Sequence, residues 1–266
     1  MEIIGYLASI LIGLSLGIMG GGGSILTVPV LVYLFGESPE VSTAYSLFIV
    51  GTTSLVGAIR NATLGHVDYK IGVVFGIPSI IAVYLTRAYL VSSIPLEIIS
   101  FASFTLTKDK AIMMLFAFIM WAASISMIRN TAHSKFSKVS ASTKFNIVGI
   151  IAEGFVVGIL TGIVGAGGGF LIIPTLVLFA KLPMKRAIGT SLLIIALKSL
   201  IGFTGDIQRT DLTIDTSLLL SITGFAVVGI FVGRYCTKFI NDQSLKKGFG
   251  WFVLLTAGYI ILQQIE

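Results

Sequence analysis

Charge is scarce in this sequence. Of its 266 residues only 11% are Asp, Glu, Lys or Arg, 55% are hydrophobic, and the mean hydropathy is +1.00. Soluble domains carry about 25% charged residues, so a water-soluble class is excluded. Cysteine is limited to Cys236, which rules out an internal disulfide and any cysteine-cluster metal site. Histidine is limited to His66 and His133, both in polar connections, which argues against metal chemistry and leaves no cofactor to expect. No nucleotide-binding loop is present, so any work the protein does draws on an ion gradient or a partner. The N-terminus, "MEIIGYLASILIGLSLG", lacks a basic leader and a small-residue cleavage site and reads as a first helix of the mature chain. Strand-like alternation of the kind that builds a barrel is also missing.

What remains is long apolar runs. Eight are bounded by polar residues: 3–35, 43–59, 71–91, 111–128, 147–180, 187–204, 215–236 and 249–265. A spanning helix needs about 20 such residues, so the fold class is an all-α polytopic membrane protein. The net charge of +6 belongs to cytoplasmic loops, with no nucleic acid implied. The first and fifth runs are too long for one ordinary span, and each carries a glycine cluster near its middle.

The oddity recurs because the chain repeats itself. Displaced by 145 residues without a gap, "GIMGGGGSILTVPVLV" from Gly17 falls on "GIVGAGGGFLIIPTLV" from Gly162, with 15 identities over the 45 positions 17–61. The match continues through Ser46 on Ser191, Ser54 on Ser199 and Gly57 on Gly202. Shared apolar composition does not align glycine and proline at five positions of one motif. The chain therefore divides into a first membrane repeat (1–130), a basic linker (131–143) and a second membrane repeat (144–266).

Loop charge bears on how the repeats sit. If every run crosses once, Lys and Arg divide ten to seven and choose no orientation. If the first and fifth runs enter and return as hairpins, thirteen fall with the linker, against Arg87, Lys108, Lys110 and Arg209 on the other side. The hairpin arrangement is thus preferred, and it makes the repeats inverted.

A helix broken inside a bilayer exposes backbone groups that lipid cannot satisfy, so the break must be buried or line a wet cavity. Consecutive glycines permit positive φ and allow successive N–H groups to form an anion nest, beside the positive end of the following half-helix. Gly20, Gly21, Gly22, Gly23 and Ser24, with Gly165, Gly167, Gly168 and Gly169, are accordingly candidate substrate-binding residues near the membrane midplane. By contrast, Ser9, Gly13, Gly17 and Gly21, like Gly154, Gly158, Gly162 and Ala166, follow the small-residue spacing of close helix packing. Pro29 and Pro174 read as structural bends.

Among side chains, Lys198 lies about 11 residues into the sixth run, where a cation is costly unless paired or wet. It is a candidate anion ligand, with pairing to Glu153 or snorkelling as the bland reading. Ser46 and Ser191 are candidate oxoanion donors, against the common habit of membrane serines to bond their own helix. Asn61 and Asp206 coincide in the repeat but close their segments, which suits capping or loop roles.

The two glycine motifs, with "YSLFIVGTTSLVGA", "GTSLLIIALKSLIGF" and "GHVDYKIG", make nearly the whole chain resemble the sulfite exporter TauE/SafE family of permeases. The resemblance implies an anion transporter of the bacterial cytoplasmic membrane, with substrates among sulfite, sulfonates and related sulfur compounds. "TAYSL" in place of a second "IGTSL", and the long stretch "VSSIPLEIISFASFTLTKDK", depart from the family pattern. On the residues alone phosphate or a carboxylate fits nearly as well, and the direction of transport is unreadable. A homodimer and a coupling ion, proton or sodium, are the partners left open beside the substrate and lipid. An intramembrane enzyme or a non-transporting subunit is the competing class, but no nucleophile with a base lies within the runs.

Overall fold

A computed structural model describes residues 2–101, 104–129, 147–178, 180, 182–207, 214–236 and 242–265. The basic linker, with His133, lies outside the described residues. The first repeat contains α1 (Glu2–Met19), a short 3-10 turn (Gly22–Leu26), α2 (Thr27–Leu34), α3 (Pro39–Thr63) and α4 (Tyr69–Leu85). Helix α4 runs through a π-turn (Thr86–Leu90) into the single turn α5 (Val91–Ser93), and α6 (Lys108–Arg129) closes the repeat. The second repeat contains α7 (Ile147–Val164), α8 (Gly169–Leu178), α9 (Met184–Ile207), α10 (Thr216–Cys236) and α11 (Asp242–Ile265).

Helix starts follow local chemistry. Ser38 caps α3 by accepting from Val41 N, with Pro39 at the first helical position. Asp68 caps α4 by accepting from Ile71 N at 3.1 Å, and the Asp215 carboxylate receives Ser217 N and Leu218 N at the head of α10. One element departs from the all-α expectation: Glu97–Phe101 and Phe104–Thr107 pair as a two-stranded antiparallel ribbon, β1 and β2. Its β-branched and aromatic residues follow Pro95, where the helix has ended.

Four described helices are long and apolar enough to cross a membrane: Pro39–Thr63, Tyr69–Ser93, Met184–Ile207 and Thr216–Gly233. The two glycine-broken segments, and Gly250–Gln264 at the C-terminal end, are apolar but shorter. Val73, Ile77, Ile81 and Leu85 form an exposed stripe along α4, and Ile4, Leu7 and Leu11 another along α1. Stripes of this kind are aggregation surfaces in water and ordinary lipid contacts in a bilayer.

The most buried spans are α3 and α9, with 72% and 67% of their apolar windows inside, against 50% and 39% for the spans beginning at Tyr69 and Thr216. They form the inner pair and run antiparallel. At one end Arg87 touches both Thr43, near the start of α3, and Asp206, near the end of α9. At the other, Thr190 of α9 accepts from Asp68 N at 2.9 Å, just past the end of α3.

Outside this pair the repeats exchange partners: α1 packs on α10, and α7 packs on α4. Glycine makes both approaches close. A Cβ at Gly13 would overlap the carbonyl oxygen of Ala226, and one at Gly158 would lie 2.6 Å from the Ser79 carbonyl oxygen. At Gly154 the same addition would meet Phe75 O at 2.7 Å. These glycines are packing residues, as their spacing indicates.

Candidate functional site: two glycine tips at half-height

Both glycine-broken segments double back. Phe35, at the end of α2, lies against Gly5 and the ring of Tyr6 near the start of α1, with ring centroids 5.6 Å apart. In the second repeat Thr175 of α8 donates to Glu153 Oε1 of α7 at 2.7 Å. The tips carry the backbone that only glycine tolerates well: φ is +62° at Gly20, +129° at Gly21, +70° at Gly165, +63° at Gly167 and +70° at Gly168. Gly22, Gly23 and Gly169 lack positive φ, so a strained φ at Gly22 is not what a substitution there would meet. Pro29 sits in the first turn of α2, where its missing N–H breaks no helical bond.

The tips meet each other and the inner pair. A Cβ on Gly21 would lie 2.7 Å from Gly169 Cα, so the backbones touch. Gly20 rests on Ile188 and Gly21 on Ile195, both of α9, while Gly165 rests on Thr43 and Gly167 on Val50, both of α3. Val50 and Ile195 lie near the middles of their helices, which places the meeting point at about half-height. Gly20 to Ser24 and Gly165 to Gly169 are all buried. Among the described residues, the N–H groups of Gly21, Ala166 and Gly167, which lie outside the helical elements, find no backbone acceptor. Buried amides are almost always paired, so three such donors in two touching tips stand out.

Lys198 stands at this place. It is fully buried, its Nζ donates to Thr161 Oγ1 at 2.8 Å, and a Cβ on Gly168 would come within 3.0 Å of it. Among the described residues no carboxylate, Glu153 included, lies within ion-pair distance of Lys198; the Glu153 carboxylate receives the Thr175 hydroxyl instead. The serines divide. Ser191 gives its proton to Gly20 O at 2.6 Å or Ile188 O at 2.9 Å, and so ties the first tip to α9. Ser24 bonds Gly21 O at 2.7 Å within its own tip. Ser46, the repeat equivalent of Ser191, is fully buried with no partner among the described residues.

One charged cluster was hidden in the sequence. Arg87 reads there as a loop charge and Asp206 as a cap, yet both side chains are fully buried, with Nε donating to Asp206 Oδ2 at 2.8 Å. Both terminal guanidinium nitrogens also donate to Thr43 Oγ1 at 3.1 Å. Arg87 sits in the π-turn at 86–90, where the helix register shifts by one residue, and its side chain joins the first repeat to the second. Asn61, the repeat equivalent of Asp206, bonds its own helix at Gly57 O. Nearby Lys108 pairs with Glu40 at 2.7 Å.

A lipid-facing exterior around a closed polar centre, built from broken helices, is the construction of a polytopic membrane transporter. The chain belongs to the sulfite exporter TauE/SafE family, whose model matches residues 5–260. A probable membrane transporter protein of Xylella fastidiosa (strain 9a5c) is 30% identical over 253 residues, covering 94% of this chain and 91% of that one. The probable membrane transporter protein YdhB of Bacillus subtilis is 27% identical over 241 residues, covering 91% and 92%. MJ0441 of Methanocaldococcus jannaschii, also a probable membrane transporter protein, is 34% identical over 116 residues, covering 42% of this chain and 43% of its own. No solved structure matches the chain.

Proposed function

We propose that this transporter moves small sulfur-containing oxoanions, such as sulfite or organosulfonates, across the bacterial cytoplasmic membrane, and that the anion binds where the two glycine tips meet. The observation that carries the reading is Lys198, a fully buried lysine whose one partner among the described residues is the neutral Thr161 hydroxyl, beside a tip in which the amides of Ala166 and Gly167 lack backbone acceptors. Beyond the bond to Thr161, the Lys198 amine keeps donor capacity for a ligand. Gly20 to Ser24 and Gly165 to Gly169 supply backbone donors and the positive ends of two short helices, Ser46 a hydroxyl with no partner among the described residues, and Ser191 the tether that positions the first tip. Sulfur as the central atom comes from the family; the donors fit any small oxoanion.

The antiparallel α3 and α9, the reciprocal exchange of α1 and α7, and the hairpins support an inverted repeat with its axis in the membrane plane. In that arrangement the connections near Glu37 to Ser42 and Asp206 to Asp215 face outward, and Lys185 and Arg186 face the cytoplasm. Coupling to a proton or sodium gradient, in the export direction, completes the reading, since the chain has no nucleotide-binding loop.

Flux of sulfite, sulfoacetate, sulfate and thiosulfate into proteoliposomes tests the function, and Lys198→Gln tests the site. Sulfite flux that falls at least 10-fold in Lys198→Gln, in a variant that purifies as a monodisperse species, is the expected result. Flux of no anion under any gradient defeats the function, and unchanged sulfite flux in Lys198→Gln defeats the site.

A further inference from the structure

Each half of the site should contribute a side chain, yet only the second half has a cation. The repeat places Thr53 where the second half has Lys198. On α9 the residues that touch the tips are Ile188, Ser191, Ile195 and Lys198, one helix face at spacings of three, four and three. On α3, Thr43 and Val50 touch the second tip, and the same spacings complete that face with Ser46 and Thr53.

The crossing of the inner helices brings the two positions to the same level. Gly57 of α3 packs on Leu192 of α9, and Leu47 on Gly202; these contacts interchange when the repeats are exchanged. Their midpoint falls at residue 52 on α3 and residue 197 on α9, next to Thr53 and Lys198.

The Thr53 hydroxyl is fully buried and has no partner among the described residues. A helical threonine ordinarily bonds a carbonyl one turn back, as Thr43 does to Glu40 O and Thr223 does to Leu219 O. Thr53 does not, and a buried hydroxyl without a partner is costly.

We propose that Thr53 is the first half's ligand to the anion that Lys198 holds from the second half. The inference rests on the glycine-tip site proposed above. It also sharpens the substrate class. A group gripped by Lys198 and a hydroxyl from opposite repeats, with backbone donors between, needs at least three oxygens that diverge out of one plane. Sulfite and sulfonates present three such oxygens, whereas a carboxylate presents two in a single plane. One ammonium in place of two leaves the rest of the charge to helix ends and hydroxyls.

The test compares sulfite and acetate binding to the purified full chain by calorimetry, in wild type, Thr53→Val, Thr53→Ser and Lys198→Gln. Thr53→Val is expected to bind sulfite about 10-fold more weakly with acetate affinity unchanged, and Thr53→Ser to bind sulfite within threefold of wild type. Ligand-free Thr53→Val should melt at or above wild type, because the change removes an unpaired buried hydroxyl without altering shape. Wild-type sulfite affinity in Thr53→Val together with loss in Lys198→Gln overturns the role of Thr53 and leaves the site standing. Unchanged affinity in both variants overturns the site itself. A lowered melting point of ligand-free Thr53→Val assigns the hydroxyl to structure and also overturns the proposal.

Discussion

Removing the Asp206 carboxylate isolates the energetic role of the Arg87 cluster. In Asp206→Ala the guanidinium loses its 2.8 Å charged partner while remaining enclosed with Thr43, and both side chains are fully buried. Breaking a buried pair from one side typically costs about 3–5 kcal/mol, because the surviving charge stays buried without its opposite charge in contact. Against a total stability of about 5–15 kcal/mol this is a large share, and it corresponds to a fall in melting temperature on the order of 10 °C for a chain of this size. Replacing both partners by apolar residues of similar volume, Arg87→Met with Asp206→Leu, removes the uncompensated charge and should return most of the loss. Tryptophan fluorescence of the detergent-purified proteins on heating reads both shifts, with size-exclusion profiles as a check on dispersity. If Asp206→Ala melts with wild type, or the double variant melts as low as the single one, the pair does not hold the repeats together and the reasoning fails.

The glycines divide by what an added methyl would meet. Gly22→Ala, where φ is ordinary and the nearest atoms belong to Met19 at 3.2 Å, should fold normally and lose sulfite affinity through crowding of the ligand, as titration of the purified variant would show. Gly13→Ala pushes into the Ala226 carbonyl and should reduce the yield of folded protein by several-fold while the protein that folds retains its affinity. Ser191→Ala removes the tether to Gly20 O and should weaken sulfite binding several-fold, with a loss of stability of about 1 kcal/mol in thermal melts. For orientation, Ser38→Cys and Met184→Cys in a Cys236→Ser background should react with an impermeant thiol reagent from opposite sides of the membrane; reaction from the same side rules out inverted repeats.

Features dictated by backbone chemistry were legible in the sequence. Four glycines between apolar runs announce a break, and their recurrence after 145 residues announces a second. The i+4 glycine spacing along α1 and α7 marks the helix contacts with α10 and α4. Lys198 stands out because a cation so far from a segment end needs a reason. Arg87 does not, because "TRAYL" near a segment end looks like an interfacial basic residue. Its burial depends on a π-turn and on a partner 119 residues away, neither of which leaves a local pattern. Thr53 was hidden for a different reason: in "GTTSL" it looks like one more small residue for helix packing, and only the alignment with Lys198 distinguishes it. Gly22 and Gly167 occupy equivalent places in the motif, yet the first tip coils into a 3-10 turn at Gly22 while Gly167 remains left-handed, a difference the repeat does not announce.

The exchange of partners between repeats also imposes an order in time. Helix α7 finds α4 already made when it leaves the ribosome, but α1 must wait for α10, roughly 200 residues downstream. At about 5–20 residues per second this is a delay of about 10–40 s, during which the glycine stripe of the newborn first hairpin has no helix to receive it. Maturation of the two repeats is therefore unequal even though their architecture is shared. Slowing translation between Met184 and Thr216 lengthens the first hairpin's exposure while leaving the α4–α7 contact already formed.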